Sequence, residues 1–390
     1  MIQRPRHILP VIILSQFAAT SLWFAGNAVL GGLSQSWGIA ADAVDTMTTA
    51  VQAGFIIGTL LFALLALPDR FSPRKVFLYC ALAGGAANAL PVLFEGSYAL
   101  LLASRFLTGF FLSGLYPVGM KIAAAWYQHG LGRAIGYLVG ALVLGTAFPH
   151  LLNSLGGTEA WRGVLLGVSL LAAAGGILLF LQVPDGPFHQ RGAPFDPAAI
   201  LRIFHVAPFR ASALGYFGHM WELYAFYAFV PSLLLAHFTQ AGITAANISW
   251  WAFVVIAMGS LGCIGGGLLS LRLGSARVAG LQLGISGLCC LLSPLLFFAP
   301  TPLFLLFLLV WGMTVAGDSP QFSALNAVNA PAGLTGSALT LANSIGFAIS
   351  IVSIELLGSV AATLPTAYWF LLLLPGPLAG LWALRPLLRQ

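Results

Sequence analysis

Twelve long apolar runs constrain the fold of this chain more than any other feature of its sequence. Each run is close to the roughly 20 apolar residues that a helix needs to cross the hydrocarbon core of a membrane. The runs lie at residues 8–32, 45–67, 76–94, 97–123, 133–154, 161–183, 207–234, 247–271, 277–298, 302–325, 333–358 and 365–384. Only 7% of the 390 residues are charged, whereas a soluble globular protein carries about a quarter. The sequence therefore predicts an all-α integral membrane protein with twelve transmembrane helices, which we number spans 1 to 12 in chain order.

The basic residues indicate which ends of the spans lie in the cytoplasm. Of the 16 Lys and Arg residues, all but Arg105 and Arg162 fall in cytoplasmic segments when the N-terminus is placed inside. These residues are Arg4, Arg6, Arg70, Arg74, Lys75, Lys121, Arg133, Arg191, Arg202, Arg210, Arg272, Arg277, Arg385 and Arg389. Because cytoplasmic loops carry an excess of Lys and Arg, we predict a multi-pass protein of the inner (cytoplasmic) membrane with both termini in the cytoplasm.

The longest polar break in the sequence divides the twelve spans into six plus six. It lies within residues 184–206 and contains four prolines. Pro-rich connectors act as semi-rigid spacers between packed parts of a protein. We therefore predict an N-terminal six-helix bundle at 1–183, a cytoplasmic linker at 184–206 and a C-terminal six-helix bundle at 207–390.

An internal repeat relates the two predicted bundles. The segment GFFLSGLYP at 109–117 in span 4 is answered by GMTVAGDSP at 312–320 in span 10, at an offset of 203 residues. The loop at 65–75 after span 2 is answered by the loop at 267–277 after span 8, at an offset of 202 residues. Two separate stretches with nearly the same offset indicate a duplicated six-helix unit, so we predict two pseudo-symmetric bundles.

The loop after span 2 resembles the signature loop of the major facilitator superfamily, which reads G-xxx-D-[RK]-x-G-x-[RK]-[RK]. The residues that match are Asp69, Arg70, Arg74 and Lys75. Leu65 and Ser72 depart from the pattern, because glycine is usual at both positions. In the second copy Arg272 and Arg277 are kept, but Leu271 replaces the acid. Arg105 followed by Gly109 in span 4 resembles a second motif of the same family.

This resemblance implies the fold and the working cycle of a secondary transporter. Two six-helix bundles would rock about a midplane cavity lined by spans 1, 4, 7 and 10, which gives alternating access. The cytoplasmic gate would then be formed by Asp69, Arg70, Arg74, Lys75, Arg272 and Arg277. A solvated basic turn that only obeys the positive-inside rule is the alternative reading of these residues.

Ionisable residues inside a membrane span are functional-site hypotheses, because burying them has a cost that something must offset. Glu222 lies near the middle of span 7, and His219 lies three residues earlier on the same helix face. We predict that Glu222 faces the cavity and that Glu222, His219 and Asp318 bind and release protons. The alternative for Glu222 is a structural ion pair with His219 or Arg105.

Spans 10 and 4 contribute further candidates. Thr314, Asp318 and Gln321 form one polar stripe at helical spacing. Pro320 removes a backbone donor and thus favours an interruption of span 10 near Asp318; this aspartate either binds substrate and protons or caps the kinked helix. Arg105 is expected to face a carboxylate or an anionic substrate, in a structural or a ligand-binding role.

Span 1 presents one polar face, formed by Gln16, Thr20, Trp23 and Asn27 at helical spacing. We expect this face to line the cavity, although polar side chains also hold membrane helices together. The predicted substrate contacts are Gln16, Trp23, Asn27, Arg105, Tyr116, Tyr224 and Gln321.

The sequence gives no indication of a cofactor, a metal site or an enzyme. The four cysteines form no CxxC pair, so we expect buried, unpaired thiols. Metal-ligand, hydrolase and phosphate-loop motifs are absent from the sequence, and no charged block suggests nucleic acid as a partner.

These features together predict a monomeric secondary active transporter for a small polar or amphiphilic organic solute. We expect it to be proton-coupled, as a symporter, with the lipid bilayer, protons and the small-molecule substrate as its partners. The alternatives are a drug or metabolite efflux antiporter, disfavoured because span 5 lacks the Gly-Pro pair usual in drug antiporters of the family, and a channel-like facilitator or sensor with the same fold.

Overall fold

A computed structural model describes residues 5–40, 43–127, 131–156, 160–188, 196, 199–244, 246–331 and 333–389, with the side chains of 69, 131–133 and 199–201 excepted. Within these ranges all regular secondary structure is helical. Arg4 and Arg191 lie outside the described residues, as do the side chains of Asp69 and Arg133.

Ten helical segments in the described part of the chain are long and apolar enough to cross a membrane. They correspond to spans 2–6 and 8–12: Val44–Leu64, Pro73–Leu93, Tyr98–Trp126, Ala134–Gly156, Trp161–Gln182, Ile248–Leu273, Ser275–Phe297, Thr301–Asn329, Thr335–Ala361 and Thr366–Leu388. Span 1 begins with the shorter apolar helix Ile8–Thr20. Span 7 is the 34-residue helix Ala207–Gln240. The predicted all-α membrane fold of twelve spans is confirmed.

Several spans differ in detail from the continuous helices predicted from the sequence. Span 1 consists of three helices, Ile8–Thr20, Ala25–Ala28 and Leu30–Trp37. Span 12 begins as the 3₁₀ helix Thr366–Leu373 and continues as the α-helix Pro375–Leu388. Hydrophobicity alone did not show these interruptions, because the apolar run continues across each break.

Spans 4 and 10 are interrupted at corresponding places. Span 4 consists of Tyr98–Leu112 and Tyr116–Trp126, and span 10 of Thr301–Gly317 and Ser319–Asn329. Pro117 and Pro320 lie in the first turn of the second helix in each case. Proline lacks the backbone N–H that would continue the preceding helix, so the interruption predicted near Asp318 is confirmed.

The helices group into two compact units. Unit 1 contains Met1–Ala41 and Ala50–Asp196, and unit 2 contains Asp42–Thr49 and Pro197–Gln390. Unit 1 thus holds spans 1 to 6 apart from the first six residues of the span 2 helix, residues 44–49, and unit 2 holds these residues and spans 7 to 12. The exact bundle limits predicted above stay a prediction.

Glycines at matching positions pack spans 2 and 4 together in unit 1 and spans 8 and 10 together in unit 2. A methyl group added at Gly109 would collide with the backbone carbonyl of Val51, and one added at Gly312 would collide with that of Val255. These two contacts are related by offsets of 203 and 204 residues. The internal repeat predicted from the sequence is therefore also present in the helix contacts.

The first residues after span 6 fold back onto unit 1. Trp126 Nε1 donates to the Pro184 carbonyl at 3.0 Å, and the backbone N–H of Phe188 donates to the Ala125 carbonyl at 3.0 Å. The hydroxyl of Ser72 donates to Asp185 at 2.9 Å. The predicted linker therefore starts as a docked segment, and it ends in the short helix Ala199–His205.

A surface ion pair joins the start of span 6 to the loop after span 3. Arg162 donates two hydrogen bonds of 2.6 Å to the carboxylate of Glu95. The hydrogen bond from Arg162 holds the pKa of the Glu95 carboxyl below its ordinary value. Because both side chains are about half exposed, with 48% and 40% of their surface accessible, we assign this pair little weight in stability.

Two buried polar centres as candidate functional sites

The first polar centre surrounds Arg105 in span 4 of unit 1. Its side chain is 2% exposed. Nη1 donates to Asn88 Oδ1 at 2.7 Å, and Nη2 donates to the backbone carbonyl of Leu22 at 2.9 Å. Leu22 lies in the break of span 1, where the helix no longer supplies a donor for this carbonyl. The interruption of span 1 therefore creates the acceptor that Arg105 uses.

Asn88 in span 3 extends this centre to span 6. Its Nδ2 donates to the Leu165 carbonyl at 3.0 Å and to Ser169 Oγ at 2.9 Å. The partners of Arg105 are thus neutral, and no acid of the described residues forms an ion pair with it. Of the two partners expected for Arg105, no carboxylate of the described residues faces it, and an anionic substrate stays a prediction. The geometry is that of a satisfied structural network across spans 1, 3, 4 and 6.

The second polar centre surrounds Glu222 in span 7 of unit 2. Its Oε1 accepts hydrogen bonds from Ser286 Oγ at 2.5 Å, Trp311 Nε1 at 2.6 Å and Cys290 Sγ at 3.3 Å. These donors come from spans 9 and 10. Glu222 is only 1% exposed, so its carboxyl is buried among these donors. The expectation that it faces the transport cavity stays a prediction.

Asp318 lies at the interruption of span 10 and faces His219 of span 7. His219 Nδ1 is 2.8 Å from Asp318 Oδ1. This distance is that of a charge-assisted hydrogen bond. His219 is thus paired with Asp318, and the alternative of a Glu222–His219 or Glu222–Arg105 pair is wrong.

The two centres occupy related places in the internal repeat. Gly175 packs on Ser15 and Ala18 of span 1, as Gly380 packs on Gly215 and Gly218 of span 7. These contacts align span 1 with span 7 at an offset of 200 residues, so Glu222 takes the position of Leu22, whose carbonyl binds Arg105.

Spans 3 and 4 can be aligned with spans 9 and 10 in the same way. Gly114 packs on Cys80, and Gly317 packs on Gln282. This alignment places Cys290 at the position of Asn88, and the fully buried Leu308 at the position of Arg105. The repeat therefore keeps the location of the polar centre but exchanges the side chains in it.

The polar face predicted on span 1 is packed inside unit 1. Gln16, Thr20 and Trp23 are fully buried, whereas Asn27 is partly exposed. Thr20 Oγ1 donates to the Gln16 carbonyl at 2.8 Å, and the Trp23 ring lies 4.9 Å from the ring of Phe55. The amide of Gln16 has no hydrogen-bond partner among the described residues. The Gln16 amide therefore has unused hydrogen-bonding capacity.

The remaining predicted substrate contacts differ in burial. Tyr116 begins the second helix of span 4 and is partly exposed. Tyr224 is 4% exposed, and its ring lies 5.0 Å from that of Phe347. Gln321 is 3% exposed. Thr314, the third member of the stripe predicted on span 10, donates to the Val310 carbonyl at 3.0 Å.

The predicted gate residues lie at the ends of spans. Arg70, Lys75, Arg272 and Arg277 are at least partly exposed. Arg74 is half-buried, with its guanidinium carbon 5.3 Å from the centre of the Phe180 ring. A structural position of this kind fits both the gate and the solvated turn, so the gate stays a proposal.

Sequence reasoning missed the neutral partners of both centres. Asn88, Ser286 and Trp311 are single polar or aromatic residues in apolar runs, with no motif that singles them out. The repeat offset applied to Asn88 points to Cys290 and was the one available signal. The four cysteines are free and buried, as predicted. In the described residues, no group of three or more His, Cys, Asp or Glu side chains is placed to hold a metal ion.

Comparison with models of protein families matches residues 12–354 to the Major Facilitator Superfamily. The chain belongs to this superfamily. Two curated relatives match a shorter stretch of this chain. One is the uncharacterized transporter C1773.15 of Schizosaccharomyces pombe, 28% identical over 153 residues, which are 35% of this chain and 30% of that protein. The other is solute carrier family 22 member 7 of Sus scrofa, 30% identical over 146 residues, which are 35% of this chain and 24% of that protein.

Solved structures of the superfamily match almost the whole chain. The human organic anion transporter MFSD10 (TETRAN) superimposes with a TM-score of 0.75 and 16% identity, over 98% of this chain and 100% of that chain. The nucleoside transporter NupG, solved as a point mutant, superimposes with a TM-score of 0.70 and 14% identity, over 97% of this chain and 98% of that chain. At these identities the likeness shows the fold and carries no information about the substrate.

Proposed function

We propose that this chain is a secondary transporter, and not an enzyme, that moves a small polar or amphiphilic organic solute by alternating access and is coupled to protons. Membership of the Major Facilitator Superfamily and the twelve-span fold support transport. The distribution of Lys and Arg along the chain supports a place in the inner membrane with both termini in the cytoplasm.

The observation that carries proton coupling is the environment of Glu222. The carboxyl is buried and has three hydrogen-bond donors, none of which is positively charged. Among the described residues of unit 2, the buried side chains include no Lys or Arg. A buried carboxylate without a cation is costly. We therefore assign a proton as the counter-charge of Glu222 in one state of the cycle.

The donors around Glu222 also explain how the group releases this proton. An ionised carboxylate is stabilised by hydrogen bonds from neutral donors, and Ser286, Trp311 and Cys290 supply three of them. The three donors thus favour the ionised form of the carboxyl, whereas desolvation in the dry interior favours the protonated form. A rearrangement of span 9 or 10 that removes one donor shifts this balance, and we propose that the transport cycle uses such a rearrangement. The gate residues named above and the Gln16 face remain part of this proposal.

Proton coupling is tested with purified protein in proteoliposomes. A solute is chosen by a thermal-shift screen, and its accumulation is measured under an imposed pH gradient, with a trapped pH indicator that reports proton movement. We expect accumulation in the wild type. Glu222→Gln keeps the acceptor oxygen but removes the titratable group, so we expect loss of gradient-driven accumulation while solute exchange across the membrane survives.

The matched control is Glu355→Gln, which makes the same substitution at an exposed acid of span 11. We expect its accumulation to equal that of the wild type. Equal gradient-driven accumulation by wild type and Glu222→Gln contradicts the coupling role of Glu222. Wild-type solute flux that does not depend on the pH gradient indicates a facilitator.

A further inference from the structure

The first half of span 12 has an unusual helical form. The 3₁₀ helix Thr366–Leu373 is eight residues long, whereas 3₁₀ runs of more than about four residues are uncommon because their hydrogen bonds have poorer geometry. At its start the Tyr368 N–H donates to the Pro365 carbonyl at 2.9 Å. At its end the Leu374 N–H donates to the Leu371 carbonyl at 3.1 Å. Contacts with other spans are therefore needed to stabilise this form.

One such contact comes from Trp221 of span 7. Pro375 follows the 3₁₀ segment and has no N–H to offer the Leu372 carbonyl three residues before it. Trp221 Nε1 donates to this carbonyl at 3.2 Å. A methyl group added at Gly376 would collide with the Trp221 side chain, so the second half of span 12 also packs tightly on span 7. The junction between the two halves is thus held by the residue next to Glu222.

A second contact comes from Trp311 of span 10. Its ring lies 5.3 Å from that of Phe370 in the 3₁₀ segment and 4.8 Å from that of Phe226 in span 7. The rings of Phe226 and Phe370 are 5.8 Å apart, and all three side chains are fully buried. Aromatic rings in contact prefer specific relative orientations. A shift of the Trp311 ring therefore alters the packing of the 3₁₀ segment.

The same indole is a donor to Glu222. Trp311 Nε1 donates to Oε1 of this carboxyl at 2.6 Å. The other two donors, Ser286 and Cys290, are small side chains of span 9. A hydrogen bond to an ionised acceptor is roughly twice as strong as one to a neutral acceptor. How firmly the Trp311 ring is held therefore depends on whether Glu222 carries its proton.

The other titratable groups around Glu222 leave this dependence to Glu222 itself. Span 9 contributes the thiols of Cys289 and Cys290. On spans 7 and 10, His219 and Asp318 are paired with each other at 2.8 Å. In the described parts of spans 8, 11 and 12 the titratable side chains are the buried Cys263 and the exposed Arg272, Glu355, Tyr368, Arg385 and Arg389.

We propose that Trp311 is a positioning residue that couples the proton on Glu222 to the 3₁₀ half of span 12. When Glu222 is ionised, it holds the Trp311 N–H, and the ring cluster stabilises the 3₁₀ form. When Glu222 takes up a proton, this hold weakens and residues 366–373 open. The inference rests on the proposed function and names the element of unit 2 that responds to the proton. Because coupling between two sites is reciprocal, loosening residues 366–373 in turn favours the protonated form of Glu222.

Hydrogen exchange followed by mass spectrometry on the purified full-length protein measures the opening of residues 366–373 at acidic and alkaline pH. The helix Trp161–Gln182 of unit 1 is the reference, because the chemical rate of exchange changes with pH equally in both segments. Relative to this reference, we expect exchange of 366–373 to be about fivefold faster at acidic pH, the effect of one hydrogen bond on an opening equilibrium.

This measurement uses the wild type and does not depend on the folding of a variant. Glu222→Gln is its control, because the acceptor is then neutral at every pH and the exchange ratio is expected to stay constant. An exchange ratio that is the same at both pH values in the wild type contradicts the proposal.

The reciprocal effect is measured as the pH at which the infrared C=O band of protonated Glu222 is half-formed. Phe370→Leu removes a ring that packs on Trp311 and leaves all three donors of Glu222 in place. We expect the midpoint to move to higher pH by about 0.5 unit or more, because the ionised form loses support. Trp311→Phe keeps a ring but removes the N–H, so we expect a larger shift in the same direction.

The matched control is Trp161→Phe. It also removes a buried indole N–H, which in unit 1 donates to Ser36 at 3.1 Å, and we expect it to leave the midpoint unchanged. If Trp311 has a merely structural role, its substitution destabilises the protein without moving the midpoint, and that result overturns the proposal.

The proposed function and this inference fail separately. A wild type without a Glu222 band that rises on acidification refutes proton uptake by Glu222, and the coupling to span 12 with it. A band that rises with the same midpoint in the wild type, Phe370→Leu and Trp311→Phe refutes the coupling to span 12 alone.

Discussion

Unit 1 and unit 2 each bury a charged side chain at related places of the internal repeat, but they surround it differently. Arg105 in unit 1 is held by Asn88 and by the Leu22 carbonyl, which are permanent neutral acceptors. Glu222 in unit 2 is held by the neutral donors Ser286, Trp311 and Cys290. Asp318, near Glu222, is paired with His219, whose Nδ1 lies 2.8 Å from its Oδ1.

The difference follows from what each side chain is able to do. An arginine stays protonated at every physiological pH, so a centre built on Arg105 has one charge state and one set of contacts. A carboxyl group is either protonated or ionised, and its hydrogen bonds stabilise these two forms to different extents. We infer that the repeat has kept a structural centre in unit 1 and a working centre in unit 2.

The largest effect is expected from Arg105→Met. Methionine fills a similar volume but leaves Asn88 Oδ1 and the Leu22 carbonyl without donors in the dry interior of unit 1. Because each orphaned buried acceptor costs about 1–3 kcal/mol, we expect a loss of roughly 2–5 kcal/mol in the free energy of unfolding. Denaturation of the detergent-purified protein, followed by size-exclusion chromatography with fluorescence detection, measures this loss.

Glu222→Gln is the matched comparison in unit 2. Its amide oxygen still accepts from Ser286 and Trp311, so we expect a change of roughly 1 kcal/mol or less in the same assay. We expect this variant to lose gradient-driven accumulation and to keep its stability. Equal destabilisation by Arg105→Met and Glu222→Gln contradicts the division into a structural and a working centre.

A symmetric effect on stability is expected where the two units are alike. Gly109→Ala and Gly312→Ala each place a methyl group against a backbone carbonyl, of Val51 and Val255 respectively. Overpacking of a tight contact costs about 1–3 kcal/mol. We therefore expect similar losses of unfolding free energy for both variants, measured by the same denaturation.

Two glycines in open surroundings serve as controls for these variants. A methyl group at Gly163 in unit 1 or at Gly265 in unit 2 meets no atom within 4 Å. Alanine favours a helix over glycine by about 0.5–1 kcal/mol, so Gly163→Ala and Gly265→Ala are expected to be neutral or slightly stabilising. A large loss for Gly109→Ala with none for Gly312→Ala shows that the packing of the two units has diverged.

The twelve spans and the repeat could be predicted from the sequence because both are carried by many residues. Long apolar runs and the distribution of Lys and Arg depend on the solvent around the whole helix. The interruption of span 10 was predictable from Pro320, since proline lacks a backbone donor. The break of span 1 at residues 21–24 was not predictable, because it contains no proline and is offset by a hydrogen bond from Arg105, which is distant in sequence.

The candidate site was predictable only in its residue types. Glu222, His219 and Asp318 are rare ionisable residues in spans, which singled them out. Their pairing was not predictable, because helical spacing puts His219 beside Glu222 along span 7, whereas the tertiary packing of span 10 brings Asp318 to His219 at 2.8 Å. The neutral donors of Glu222 lie on two other spans and became visible only in the folded chain.

The most direct test of the working centre is to detect the proton on Glu222. Infrared difference spectra of the purified protein between acidic and alkaline buffer report the C=O stretch of a protonated carboxyl group. In the wild type and in Arg105→Lys, we predict one such band, from Glu222, that rises with acidification. This band is missing from Glu222→Gln, whereas the bands of the other carboxyl groups remain. Identical difference spectra for wild type and Glu222→Gln contradict the claim that Glu222 takes up and releases a proton.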